Sequence, residues 1–392
     1  MENLRQKHDQ ELMRRENAKL ILSIIKKSGS ISRAQISRTV NMSPTSVGRI
    51  VDGLMKANLV KEVGAAGNGV GRKANLLQVD SKSMVSIGVE IDKGYIGVAV
   101  TNFNGEILDI IENYENLYPF SPENVALKIG EMANRLIAKI RPEDSKIVGV
   151  GVAIPGLIDT DGGKVIFSAQ LKWKNENLAD MIKKEVNGLP VKIDNEMKAK
   201  AIAESLYGIA ESSDRAVLMS IGSGVGSALI INGEVYRGSS NTAGEIGHIT
   251  VDPNGLLCEC GRLGCLQTYI ADWALLDQAR KFSNVSTVSD IIKACETGEQ
   301  WACNIISRAV DYVGIAIGTL VCLYNPDKVI LCGRVLEHNP EMITRIQQRY
   351  SNFVWGQLNH TFTLEFTRMW ESAAIIGAGT MAFLATLDDY II

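Results

Sequence analysis

The 392-residue sequence has no uninterrupted apolar run approaching the ~18 residues that would cross a bilayer, so a membrane protein is not expected. Its first residues, MENLRQKHDQELMRREN, lack the apolar core of a secretory signal, and the expected compartment is the cytoplasm. Cysteine is scarce, and its total of seven is odd. Without an export signal a disulfide framework is not expected; metal binding or plain burial is. Cys295, Cys303, Cys322 and Cys332 are scattered and read as small buried apolar residues. Cys258, Cys260 and Cys265 crowd together instead.

What is present is an uneven charge. The net −3 divides into a head, residues 1–80, with 14 Lys and Arg against 7 Asp and Glu, and an acidic remainder. A basic head on an acidic body is the electrostatic footprint of a nucleic-acid module attached to something else. The length suggests two or three domains.

Within the head, AKLILSIIKKS places Leu20, Ile21, Ile24 and Ile25 on one helical face, and Gly29 ends that helix. Ser32 can cap a second helix, RAQISRTV. After Asn41-Met42, Ser43 followed by Pro44 marks a third helix start. Its buried stripe is Val47, Ile50, Val51, Leu54 and Met55, which leaves Thr45, Ser46 and Arg49 outward near its N-terminus. This is the pattern of a helix-turn-helix, whose second helix presents its first residues to base edges. LVKEVG and ANLLQVD then read as the strands of a wing, with Arg72 and Lys73 at a glycine-rich tip that reaches DNA. The candidate DNA contacts are Ser43, Pro44, Thr45, Ser46, Arg49, Arg72 and Lys73. A three-helix protein-interaction module is the alternative; the basic charge and the basic tip favour DNA.

From residue 84 the texture changes to alternating strands. MVSIGVEIDKGYIGVAVTNFNGEILDI reads as three antiparallel strands turning at Asn104-Gly105, and RAVLMSIGSGVGSALIINGEVYRG repeats the unit with a turn at Asn232-Gly233. Two such units suggest a duplicated α/β body around a cleft. His248, Cys258, Cys260 and Cys265 supply one imidazole and three thiolates, a complete tetrahedral set that suits one structural zinc per chain.

The stretch IGSGVGSALIINGEVYRGSSNTAGEIGH, followed by CECGRLGCLQTY, resembles the ROK family of repressors, sugar kinases and open reading frames. The resemblance runs over essentially the whole chain, including the winged head of the repressor members. It implies an α/β fold: an actin/hexokinase-like duplicated two-lobe body behind an N-terminal winged helix-turn-helix. Residues 1–80 would be the head, 81–195 with about 375–392 the first lobe, and 196–374 the second lobe with its zinc loop. By position, the resemblance places a sugar near Gly156, Gln170, Asn195, Glu196, Glu245, His248 and Gln267. His248 would hold zinc with one ring nitrogen and donate to a sugar hydroxyl with the other.

Departures from the kinase members point away from catalysis. Where they carry the Asp that deprotonates the sugar, this chain has Glu196, and a carboxylate displaced by about an ångström can lose ~100-fold in rate. Their Asp-x-Gly-Gly-Thr phosphate turn is replaced by Glu90-Ile91-Asp92-Lys93-Gly94, and their adenine-packing Gly-Gly by Gly333-Arg334. Only Gly222-Ser223-Gly224-Val225-Gly226 keeps the look of a phosphate loop. No catalytic residue is therefore expected, and Glu196 marks the altered base position. Gln170 and Gln267 stand where kinases carry Asn and Glu, which shifts the ligand preference. The chain is most similar to the xylose-repressor-like branch, with xylose as the leading effector, although Gln267 departs from that branch too. The expected partners are operator DNA, gripped by a homodimer or a dimer of dimers, and a monosaccharide; no membrane is expected. The alternatives are an ATP-dependent sugar kinase, or a repressor controlled by sequestration on a sugar-transport protein.

Overall fold

The computed structural model describes residues 13, 17–18, 20–66, 74–114, 121–141 and 145–390. The head opens with a helix over residues 20–27, after which Gly29 takes φ 65°. Its buried face is Ala18, Ile21, Leu22 and Ile25, whereas Leu20 is exposed. Of the residues the sequence places inward, Ile24 packs half-buried against this cluster and only Leu20 is turned out; apolar residues at 20–22 and 24–25 cover so wide an arc that tertiary packing decides the face. Ser32 begins the helix Arg33–Thr39 with a reciprocal cap: its hydroxyl accepts from the Gln35 N–H while the Gln35 side chain accepts from the Ser32 N–H. Ser43 caps Pro44–Lys56 by accepting from the Ser46 N–H at 3.1 Å. Val47, Ile50, Val51 and Leu54 are buried, and Met55 is half-buried. Strands Val60–Ala66 and Ala74–Val79 pair antiparallel, and the short strand Ile31–Ser32 adds to the outer side of the second. The wing tip with Arg72 and Lys73 lies outside the described residues.

The body contains two five-stranded sheets built in the same way. In the first, strands Met84–Asp92, Tyr95–Asn102 and Ile107–Asn113 form an antiparallel meander, Lys146–Ile154 joins Met84–Asp92 in parallel, and Val191–Asn195 joins Lys146–Ile154 in parallel. In the second, Arg215–Ile221, Val225–Ile231 and Glu234–Tyr236 form the meander, and Lys328–Cys332 and Thr363–Phe366 add in parallel. The shared order is the duplication that the paired hairpins suggest. Asn232 and Gly233 both have positive φ (52° and 84°), the type I′ turn that matches strand twist.

Two helices lie where the sheets meet. The C-terminal helix Ser372–Tyr390 presses on the first sheet so closely that Gly88 and Gly151 leave no room for a Cβ against the carbonyls of Ile375 and Ala378. The cleft helix Glu196–Tyr207 runs beside it, with Gly377 against the Ala199 backbone. Met197 and Ala201 join the core of the second sheet, while Ala199 packs with Ala153, Ala374 and Ala378.

The core of the head is continuous with the body. Ile21, Leu22, Ile25, Val47, Leu54 and Leu77 form one cluster with Met84, Phe103, Val148 and Phe383 of the body. The Phe103 and Phe383 rings meet edge-on at 5.5 Å.

Two sequence expectations need correction. Cys295 and Cys303 are joined as a disulfide, and Cys322 is exposed; of the four scattered cysteines only Cys332 stays a free buried thiol. The pairing follows from a helix end and the next helix start, Val288–Glu296 and Gln300–Tyr324, folding back on each other. Helix Gln300–Tyr324 is also long and apolar enough, by length and composition alone, to cross a membrane. Arg308 and Asp311 interrupt its apolar run, and most of it is buried in the second lobe, where Asp311 pairs with Arg349 at 2.7 Å.

Candidate ligand cleft and nucleic-acid interface

On the head, Ser43, Pro44, Thr45, Ser46 and Arg49 are all exposed. They cluster at the N-terminal turn of Pro44–Lys56, held by the Ser43–Ser46 hydroxyl bond of 2.9 Å. Arg33, from the preceding helix, pairs with Asp52 at 2.7 Å and fixes the two helices against each other. The arrangement leaves short polar side chains and one guanidinium at the end of a helix, the groups that reach base edges and phosphates.

Between the two sheets lies a cavity of about 420 Å³, lined among others by Glu90, Asp92, Tyr95, Gln170, Glu196, Lys200, Ser223 and Arg334. That size falls in the range of small-molecule sites. Of the sugar-side expectations, Gln170 and Glu196 line this cavity directly. The Gln170 side-chain oxygen is buried without a hydrogen-bond partner. Asn195 caps the cleft helix by accepting from the Met197 N–H at 2.8 Å, and its amide donates to the Gly156 carbonyl at 3.0 Å and to Glu196 at 2.9 Å. Gly156 has φ 126°, and a Cβ there would run into the Phe167 carbonyl, so the turn requires glycine. Glu245 follows on a loop tied down at several points. Lys198 donates to the Ala243 carbonyl, Arg237 pairs with the buried Asp194 at 2.7 Å, and Asn241 donates to the Ile158 carbonyl at 3.2 Å.

Burial raises the Glu196 carboxyl to about 8, with Lys200 opposing and Asp92 and Glu245 adding to the rise. Burial likewise lifts Glu90 to about 7 against the pull of Lys200. Glu245 is also raised by burial, opposed by Lys198. Burial works against the charge of Lys200, but the neighbouring Cys332, Glu90, Glu196 and Asp92 outweigh it and hold its pKa above the ordinary lysine value. Sequence reasoning overlooked Lys200. Its signal is the one-turn spacing from Glu196, which puts both side chains on the same face of the cleft helix.

At the other end of the cavity, Asp92 receives the Ser223 hydroxyl at 3.2 Å and pairs with Arg334 at 3.3 Å. Asp92 ends a strand of the first sheet, and Ser223 and Arg334 belong to the second half, so these contacts cross the cleft mouth.

The sulfur cluster sits on the loop after Glu245. The ligand atoms of His248, Cys258, Cys260 and Cys265 all lie within 4.8 Å of one another. Cys260 Sγ to Cys265 Sγ is 3.6 Å, and Cys258 Sγ to His248 Nδ1 is 3.8 Å. A tetrahedral metal with ~2.3 Å bonds to sulfur has edges of about 3.8 Å, so the donor set is compatible with zinc. Bridges Thr250–Cys265 and Leu257–Leu263 fold the loop, and Gly264 (φ 67°) lies too close to the Asp252 carbonyl for any Cβ. Gln267 donates to Cys258 Sγ at 3.3 Å, and Arg262 donates to the His248 carbonyl at 2.7 Å. Gln267 and His248 are therefore assembled with the cysteines, adjoining Glu245 through the chain. His248 turns Nδ1 toward them and leaves Nε2 for another partner.

The family model for the ROK family matches residues 86–384, and one for winged helix-turn-helix DNA-binding domains matches residues 14–61. The xylose repressor of Bacillus subtilis (strain 168) is 30% identical over 380 residues, covering 97% of this chain and 98% of that one. Among solved structures, a ROK family transcriptional regulator described as a homolog of the E. coli MLC protein covers 97% of this chain and 98% of its own, with TM-score 0.81 and 25% identity. A ROK hexokinase from Thermus thermophilus covers 77% of this chain and 99% of its own, with TM-score 0.64 and 26% identity. From its motifs, its two matched sheets and these relatives together, the chain is a member of the ROK family with an N-terminal winged helix-turn-helix.

Proposed function

We propose that this protein is a sugar-responsive transcription repressor whose body binds a monosaccharide without phosphorylating it. The observation that carries the reading is Asp92, which engages Ser223 and Arg334 at the phosphate end of the cleft. A carboxylate there repels polyphosphate, and the hydroxyl and guanidinium that phosphate would recruit are already taken. At the proposed sugar end Gln170 and Glu196 line the cavity, with Gln170 holding an unused acceptor. The proposed sugar contacts are Gly156, Gln170, Asn195, Glu196, Glu245, His248 and Gln267. A carboxyl whose pKa burial lifts to about 8, as at Glu196, is shifted toward the form that can donate to a ligand hydroxyl as well as accept.

The head would read operator DNA through Ser43, Pro44, Thr45, Ser46 and Arg49, with Arg72 and Lys73 on the wing. The protein would act in the cytoplasm as a homodimer or dimer of dimers, matching a palindromic operator. Residues 1–80, 81–195 with 375–392, and 196–374 serve as head, first lobe and second lobe. One zinc held by His248, Cys258, Cys260 and Cys265 would supply structural cross-linking of the loop, with no open position for chemistry. The chain's own residues would do the rest: Gln267 steadies Cys258, and His248 presents Nε2 to the ligand.

Xylose is the leading effector, supported by the name of a relative similar along nearly its whole length. The test is thermal melting of the full chain with a panel of pentoses and hexoses, repeated with a DNA duplex that the chain itself selects from a random library. One sugar should raise the melting temperature and weaken DNA binding. Turnover of magnesium ATP with any of those sugars would overturn the receptor reading in favour of a kinase. DNA binding with no sugar shift at millimolar concentration would favour control by a protein partner.

A further inference from the structure

We infer that the cleft helix Glu196–Tyr207 transmits the state of the sugar cleft to the DNA-binding head, with Lys26 as the positioning residue that couples them. The inference rests on the receptor reading above. The helix begins at the ligand: Asn195 caps it, and Glu196 and Lys200 line the cavity. Its other end, about 18 Å away at 1.5 Å per residue, is the head junction. A helix leaves its last carbonyls unpaired and carries partial negative charge there, which a cation satisfies. This helix has no basic residue in its own last turn. The head supplies one. Lys26 Nζ donates to the Leu206 carbonyl at 2.5 Å and stands 3.4 Å from the centre of the Tyr207 ring, and Lys27 donates to the Glu211 carbonyl at 2.9 Å.

The helix is also placed to move. Met197 and Ala201 are fixed in the core of the second sheet, and Ala199 packs on the C-terminal helix of the first lobe. A shift between lobes cannot leave it stationary relative to both. The head, by contrast, is anchored to the first lobe through Phe103, Val148 and Phe383. Tyr207 completes the junction by donating to the Phe103 carbonyl at 3.2 Å. Displacement of the helix end therefore pulls on residues 20–27 at one point while the apolar anchor holds another, which re-aims the helix pair behind Arg49. Only a ligand that binds the two lobe arrangements unequally can drive this.

The test is hydrogen–deuterium exchange on the full chain with D-xylose, D-glucose or N-acetylglucosamine. The sugar that protects residues 195–200 should also change exchange in residues 20–27. It should alter affinity for the self-selected duplex by five-fold or more, within the usual range of coupling. In Lys26→Met, protection of 195–200 should persist while the change at 20–27 disappears and the DNA effect falls below about two-fold. Lys26→Arg, which keeps a cation, should restore both. Cleft protection with no change at 20–27, or an undiminished DNA response in Lys26→Met, would overturn the inference and leave the receptor reading standing. If none of the three sugars protects the cleft, the receptor reading fails and the inference fails with it.

Discussion

The two ends of the cleft are made of similar side chains used in opposite ways. At the mouth end, Asp92, Ser223 and Arg334 are spent on one another. At the other end, Glu196 and Gln170 are half-buried and line the cavity, with the Glu196 carboxyl raised toward the neutral form and an acceptor on Gln170 left over. The lesson is that cleft groups can be paired off without disturbing the fold: Asp92 at a strand end and Arg334 at a helix start meet across the mouth, and both sheets keep their order. The two ends differ in where hydrogen-bonding capacity remains unspent.

The strongest way to break this comparison is to remove the support of the sugar end. Cys260→Ser, or chelation, should destabilise the protein by well over ~3 kcal/mol, because structural zinc sites bind with about 10–16 kcal/mol in small peptides. Calorimetric melting together with zinc content measures it, and an unchanged melting temperature with no metal bound would remove the zinc assignment. Next in size is Glu245→Gln, expected to weaken sugar binding ten- to hundred-fold, as for a hydrogen bond to a charged group worth about 1.5–3 kcal/mol. Titration calorimetry reads that directly, and unaltered affinity would take Glu245 out of the site.

A third prediction sharpens the electrostatic difference. Glu196 has its folded pKa raised from 4.5 to about 8. The folded state therefore binds the extra proton, and stability present below pH 4.5 is lost as pH rises toward 8. Glu196→Gln should flatten the melting-temperature slope over that window and make the variant relatively more stable at its alkaline end. Identical slopes would show that Glu196 titrates normally. The smallest effect belongs to the Asp92–Arg334 pair. Arg334→Ala breaks a half-exposed pair worth about 0.2–1 kcal/mol and should shift melting by a few degrees at most, without ATP turnover. Acquired ATP binding on fluorescence titration would mean that this one pair, rather than the whole turn, excludes nucleotide.

Features with a short local cause could be read along the chain. Ser43-Pro44 starts a helix wherever it occurs in such a context, and the Cys-x-Cys spacing with nearby glycines forces convergence of thiols. The repeated hairpins revealed the duplication because their turns fix strand register locally. Harder to read were contacts between distant positions: Lys26 meets Leu206, and Asp92 meets Arg334, only because two lobes and a head close around one helix. The inward placement of Leu20 failed for the same reason, since its helix is turned by Phe103 and Phe383 of the body. Cys295 and Cys303 escaped notice because their pairing depends on a helix–helix corner rather than on composition.

The sharing of Phe383 between head and body also bears on how the protein is made. Residues of the DNA-binding module leave the ribosome first, yet one of the side chains that closes their core follows more than three hundred residues later. At ordinary elongation rates that is a wait on the order of tens of seconds. During it the apolar cluster of the nascent head lacks its Phe383 edge, so the winged helix-turn-helix reaches its final packing only after residue 383 has been made.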